Sequence, residues 1–201
     1  MSTDTHTQRV LVLASQKGLL RASDLDGIRA PRVVLTRLTA AGHLERLGRG
    51  LYRLPSQPGS EHEALAAVAT KVPQEVFCLL TALQFHELTT QLPRDVWIAM
   101  PRGSHAPRLE YPPIKMVQMT GAAYSEGIET FERDGVKLRV YCAAKTVADC
   151  FKHRNKVGLD VALEALKDVR AKRKASADDL WRYAKLVRMA KVMRPYMEAV
   201  A

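Results

Sequence analysis

The stretch "PRVVLTRLTAAGHLERLGRGLYRL", residues 31–54, constrains the fold more than any other part of the chain. Its apolar spacing changes from helical to strand-like within a few residues. On a wheel of about 100° per residue, Pro31, Val34, Leu35, Leu38 and Gly42 fall on one side. Val33, Thr36, Arg37 and Ala40 fall opposite; Arg29 precedes them on the same side and Arg32 sits at the flank. Pro31 predicts the first helical position, where the missing N–H would be unpaired anyway. Gly42 predicts the stop. Next, "HLERLGRGLYRLP" predicts two short strands about Gly48-Arg49-Gly50, where glycines supply the positive φ of a tight hairpin. The inside–outside alternation of that hairpin is imperfect.

Upstream, "TDTHTQRVLVLASQKG" offers Thr and Asp caps, an apolar stripe through Val10, Leu11, Leu13 and Ala14, and Gly18 as a stop. Ser23 and Asp24 are cap candidates for a short second helix. Three helices followed by a two-stranded hairpin is the order of a winged helix-turn-helix. The outward face of the third helix suits a major groove: arginine bonds guanine bidentately, threonine bonds bases or phosphates, and a valine methyl packs on thymine. The candidate DNA contacts are therefore Arg29, Arg32, Val33, Thr36 and Arg37 on the helix, with Arg46, Arg49 and Arg53 on the hairpin. The helix would read base edges, entering by its N-terminal end, while the hairpin holds the backbone.

"PSQPGS", residues 55–60, reads as a linker. The expected organisation is a DNA-binding domain over 1–55 and a second domain over 60–201. In the second, "SEHEALAAVATKV" predicts a helix with Ser60 and Glu63 in capping-box spacing. "VFCLLTALQFHEL" predicts a strand running into a helix. "DVWIAMP", "IKMVQM", "IETFERDG" and "VKLRVYC" predict strands, the last two a hairpin through Asp134-Gly135. Three helical segments close the chain. The fold class is α+β: a winged helix-turn-helix, then a mixed α/β domain with a mainly helical end.

Charge supports a polyanion partner. Of the 201 residues, 31 are Lys or Arg and 21 Asp or Glu, a formal net charge of +10. Residues 1–59 carry 9 basic and 4 acidic residues, 60–144 carry 8 and 10, and 145–201 carry 14 and 7. Two basic ends flank a slightly acidic middle, and the late basic run is either a solvated face or a second polyanion surface. Cys78, Cys142 and Cys150 lie in apolar surroundings and read as buried thiols of a reducing compartment. No apolar run approaches the ~18 residues that span a bilayer, and no leader pattern opens the chain. A cytoplasmic location is expected.

The chemistry of an enzyme is hard to find. No Asp or Glu is followed two positions later by Lys, so the acid–x–lysine pattern of metal-dependent nucleases is missing. Gly103-Ser104 is followed by no Asp-x-Asp, and there is no phosphate-binding glycine loop or nucleophile elbow. Cys142, Cys150 and His153 lack the spacing of a zinc knuckle. No cofactor, metal or catalytic residue is expected. His86 reads as a half-buried helix histidine.

"HLERLGRGLYRLP", "VFCLLTALQFHELTTQLPRDVWIAMPRGS" and "YCAAKTVADCFKHRNKVGLDVALEAL" together resemble the AbiEi family, antitoxins of type IV toxin–antitoxin systems that act in abortive infection. The resemblance implies an N-terminal winged helix that binds inverted repeats in its own promoter. It also implies a C-terminal domain that counters a nucleotidyltransferase toxin, directly or functionally. Carried over by motif, the lysine, threonine and aspartate fall at Lys145, Thr146 and Asp149, and a basic run at Lys152, Arg154 and Lys156. Two readings of these residues stay open. Lys145 and Asp149, four apart, share a helix face and either stitch it to the strand layer or contact RNA or the toxin.

The expected function is a DNA-binding autorepressor and antitoxin. The alternatives are a winged-helix regulator with a ligand-sensing second domain and, further off, a DNA-targeted nuclease. The expected partners are double-stranded DNA and the toxin, with no membrane. No heptad seam is present, so a monomer able to pair on inverted repeats is expected.

Overall fold

A computed structural model describes residues 2–48, 50–55, 61–109, 111–133 and 135–200. The chain divides into two compact units, Met1–Pro73 with Glu132–Val136 and Gln74–Phe131 with Lys137–Ala201. Arg49, residues 56–60 of the expected linker, the Ser60 cap and Asp134 lie outside the described residues.

In the first unit, helix α1 (Ser2–Lys17) ends at Gly18, whose φ of +71° reverses the chain. A short strand that the sequence did not reveal, β1 (Leu19–Arg21), leads to α2 (Asp24–Gly27). Asp24 ties these pieces together: its carboxylate accepts the Arg21 N–H at 2.7 Å and the Lys17 ammonium at 2.7 Å. The Ser23 side chain makes no cap bond. Helix α3 runs Val33–Ala40 with Arg32 as its cap, so Pro31 lies just outside rather than at the first helical position. The opening turn is closed by Val34 N–H to Pro31 O at 3.0 Å and Leu35 N–H to Arg32 O at 3.1 Å. Strands β2 (Glu45–Gly48) and β3 (Leu51–Arg53) follow, and the sheet order is β1-β3-β2, antiparallel throughout. A register shift between Arg46 and Gly48 explains the imperfect alternation, because it lets Leu47 and Leu51 both turn inward. Val10, Ala14, Leu20, Leu25, Val34, Leu35, Leu38 and Leu44 form the core. Helix α4 (Glu61–Lys71) packs on β2, so this unit reaches past the expected linker.

The second unit is built on a five-stranded sheet in the order β6-β5-β4-β8-β7. Its strands are β4 (Val76–Phe77), β5 (Val96–Pro101), β6 (Ile114–Met119), β7 (Ile128–Arg133) and β8 (Val136–Tyr141). β4 runs antiparallel to β5 and parallel to β8, and β5 runs parallel to β6. Val96 to Met100 are buried without a break, as expected of an inner strand covered on both faces. The strand-to-helix transition after β4 gives α5 (Leu79–Phe85), and α6 (Ala122–Ser125) is an additional short helix.

Helix α7 (Ala143–Lys152) is the hub. Every residue from Ala143 to Phe151 is buried, and α5, α9 (Leu159–Ala171), α10 (Ala177–Leu186) and α11 (Ala190–Ala199) pack around it. A short α8 (Arg154–Val157) links it to α9. Three polar residues are buried in α7. The Lys145 ammonium pairs with Asp149 at 2.5 Å and lies 3.9 Å from the centroid of the Tyr141 ring. The Thr146 hydroxyl donates to the Tyr141 carbonyl at 3.1 Å, which also accepts from His86 Nε2 at 2.7 Å. The Tyr141 hydroxyl donates to Tyr124 O at 2.7 Å. Gly127, at φ +74°, lets the chain pass this cluster, since a Cβ there would sit 3.0 Å from Lys145 Cβ and 3.1 Å from the Tyr183 ring.

Burial raises the Asp149 carboxyl above the usual range, against the pull of Lys145. Removing one partner strands the other without water. Asp149→Ala should therefore cost about 3–5 kcal/mol, while Lys145→Met with Asp149→Leu should be roughly neutral. Urea unfolding checks this; equal losses in the two variants would contradict it. Glu75 provides a pH test. Its carboxyl is buried with Oε2 unpartnered, and desolvation lifts it from 4.5 to about 7, with Arg139 opposing. A carboxyl raised by folding favours the folded state below its unfolded value, and that contribution is lost as pH climbs through about 7. Glu75→Gln should flatten the stability profile between 4.5 and about 7, as read by thermal melts across pH.

Candidate nucleic-acid interface

The apolar stripe of α3 decides what its other face presents. Val34, Leu35 and Leu38 are buried, and that fixes Arg32, Val33, Thr36, Arg37 and Ala40 outward, all exposed. Val33 is 51% exposed. No acid occupies the first turn. Arg29 stands in the α2–α3 turn at φ +50°, also exposed. The turn is held by Ala30 N–H to Leu25 O at 3.1 Å, so the cation is displayed from a fixed backbone.

On the hairpin, Arg46 is exposed and its Nε donates to Gly48 O at 3.1 Å. Arg49 lies outside the described residues. Arg53 does not belong with them. Its guanidinium bonds Glu45 across the strand pair at 2.7 Å and reaches Glu63 of α4 at 3.7 Å. With 17% of its side chain exposed, it joins hairpin to helix rather than facing outward. The sequence held a signal for this, because Glu45 and Arg53 are equidistant from Arg49 and meet in register. One cation was missed. Lys71, at the exposed end of α4, lies against Gly48, where a Cβ would sit 2.9 Å from its Cε.

The second candidate surface is mostly not a surface. Lys145, Thr146 and Asp149 are 0–1% exposed and bond within the cluster around Tyr141, so they do not face RNA or a partner. The stitching alternative describes them. Arg154 is half-buried and donates to Phe151 O at 3.0 Å, while Lys152 and Lys156 are exposed. Lys172 and Lys174 anchor the end of α9 to the His86–Glu87 turn, Lys172 donating to Glu87 O and Lys174 to His86 O, each at 2.6 Å. Burial lowers the titration of His86, and its Nε2 bond to a carbonyl requires the proton on that nitrogen. His86 also lines a polar cleft of about 700 Å³ with Glu129, Cys142, Lys174, Asp179 and Tyr183. No group of three His, Cys, Asp or Glu among the described residues is placed to hold a metal ion, and no described helix is long and apolar enough to cross a membrane.

Residues 8–55 match the family described as transcriptional regulator, AbiEi antitoxin. The match covers most of α1 and everything through β3, the segment that carries the exposed arginine face, and it leaves the second unit unmatched. That family is one of regulators and antitoxins, not of enzymes. No curated protein matches the chain. In fold the chain is similar to a solved structure described as the RV2827C protein from Mycobacterium tuberculosis. The TM-score is 0.62 at 13% identity, over 98% of this chain and 80% of that one.

Because Arg53 is an internal tie, Arg53→Ala should lower the melting temperature by several degrees (~1–2 kcal/mol), whereas Arg37→Ala should leave it unchanged. Paired thermal melts check this; equal effects would return Arg53 to the outer face.

Proposed function

We propose that this chain, an AbiEi-type antitoxin sequence over residues 8–55, is a DNA-binding autorepressor of a type IV toxin–antitoxin operon. The observation that carries the reading is the outer face of α3: Arg32, Val33, Thr36 and Arg37 exposed on a helix whose opposite face is locked in the core. The helix–strand order and the β1-β3-β2 sheet support a winged helix-turn-helix, with α3 as the reading helix and the β2–β3 hairpin as the wing. Arg32 and Arg37 bond base edges in the major groove. Arg29, Arg46, Arg49 and Lys71 neutralise phosphates. Binding at inverted repeats of its own promoter places one chain on each half-site. The second unit counters a nucleotidyltransferase toxin.

A regulator with a ligand-sensing second unit is the second reading, favoured by the polar cleft at His86 and Tyr183. Gene context separates the two: a neighbouring nucleotidyltransferase gene supports the antitoxin, a metabolic operon the sensor.

Arg32→Ala and Arg37→Ala should each cost about 1–3 kcal/mol on the promoter and relax preference at one base position. Lys71→Ala should weaken promoter and random DNA alike and flatten the salt dependence. Anisotropy titrations on both DNAs check this, and uniform weakening by all three variants would remove the base-reading role of α3.

A further inference from the structure

In the second unit, Trp181 of α10 stands as a wall between two hollows. On one side is a slot of about 120 Å³, walled mainly by Leu166, Leu180, Met197 and Val200, with Arg170 and Glu198 its two charged residues. A dry cavity of roughly 150 Å³ accepts a benzene, so this slot takes one side chain and no more. On the other side is an open groove of about 470 Å³ lined by Lys185, Lys191 and Arg194, with Asp178 its one acid. Arg194 holds Glu198 at 3.0 Å, while Lys185 and Lys191 make no ion pair among the described residues.

We propose that this face of α10 and α11 docks an acidic protein segment that seats one aliphatic side chain in the slot beside Trp181 and lays carboxylates along Lys185, Lys191 and Arg194. Charge complementarity selects an anion for the groove. The slot selects against nucleic acid, because a base edge buried among Leu166, Leu180 and Met197 would lose its hydrogen bonds to water. An aliphatic side chain loses none. Trp181, half-buried between the two, is the aromatic anchor type that concentrates binding energy at interfaces. The site lies wholly in the second unit and does not rest on the DNA-binding reading.

The test uses the full chain and a fluorescein-labelled synthetic peptide bearing one leucine flanked by glutamates and aspartates. Controls are the same peptide with serine for leucine and a single-stranded oligonucleotide. Saturable binding should depend on the leucine. It should weaken about tenfold or more in Ala177→Phe, which crowds the slot, and in Lys185→Glu with Lys191→Glu, which reverses the groove. Arg102→Glu with Lys137→Glu, a reversal of equal size at two exposed positions outside both hollows, should leave binding intact. Equal binding of the leucine-free peptide, displacement by the oligonucleotide, insensitivity to the two groove variants, or no binding would each overturn the proposal.

Discussion

Seating of three apolar side chains, Val34, Leu35 and Leu38, against α1 is the constraint from which the rest of the first unit follows. Each buried aliphatic contributes about 2 kcal/mol by leaving water, and together they fix the rotation of α3. Once that rotation is fixed, the outward positions are not free to choose. Arginine, valine and threonine are held at the surface of a rigid helix, with a fixed turn on one side and a hairpin on the other. Preorganisation of this kind lowers the entropy lost when a side chain meets a base edge. It also explains why Asp24 matters: by holding the Arg21 N–H and the Lys17 ammonium, it ties the C-terminal end of α1 to β1 and α2.

The second unit is organised by a different interaction. Helix α7 is surrounded by other helices and has no solvent face over Ala143–Phe151, so any polar residue on it needs an internal partner. Lys145 and Asp149 supply one for each other, with Tyr141 beneath the ammonium. The same tyrosine's carbonyl receives His86 and Thr146. This cluster fixes the β8–α7 junction against α5, while charged residues of α10 and α11 and the lysines after α7 are exposed.

Local periodicity made α3 legible. Inward Val34, Leu35 and Leu38 and outward Val33, Thr36, Arg37 and Ala40 follow from helical spacing alone. What depends on distant partners was harder to read. β1 is three residues long, too short for any period, and exists because Leu20 finds Tyr52 across the sheet. Arg53 reads as another outward arginine in sequence, because its second partner, Glu63 of α4, lies beyond the linker-like 55–60 stretch. Pro31 suggested a helix start two residues early, since a proline preceding the first turn leaves the same trace as one inside it. Lys145 and Asp149 show the right spacing to pair, but burial is signalled only by their neighbours, "AAKTVADCF", where no other charge occurs.

Specific reading of DNA by the first unit is the central proposal. Fluorescence anisotropy of the full chain on its own upstream promoter and on a scrambled duplex, at two salt concentrations, tests this most directly. The account predicts that the promoter is preferred by about 10³ or more, and that affinity for both duplexes falls with salt. Equal affinity for the two sequences at both salts would contradict it, leaving the arginine face of α3 a general basic surface.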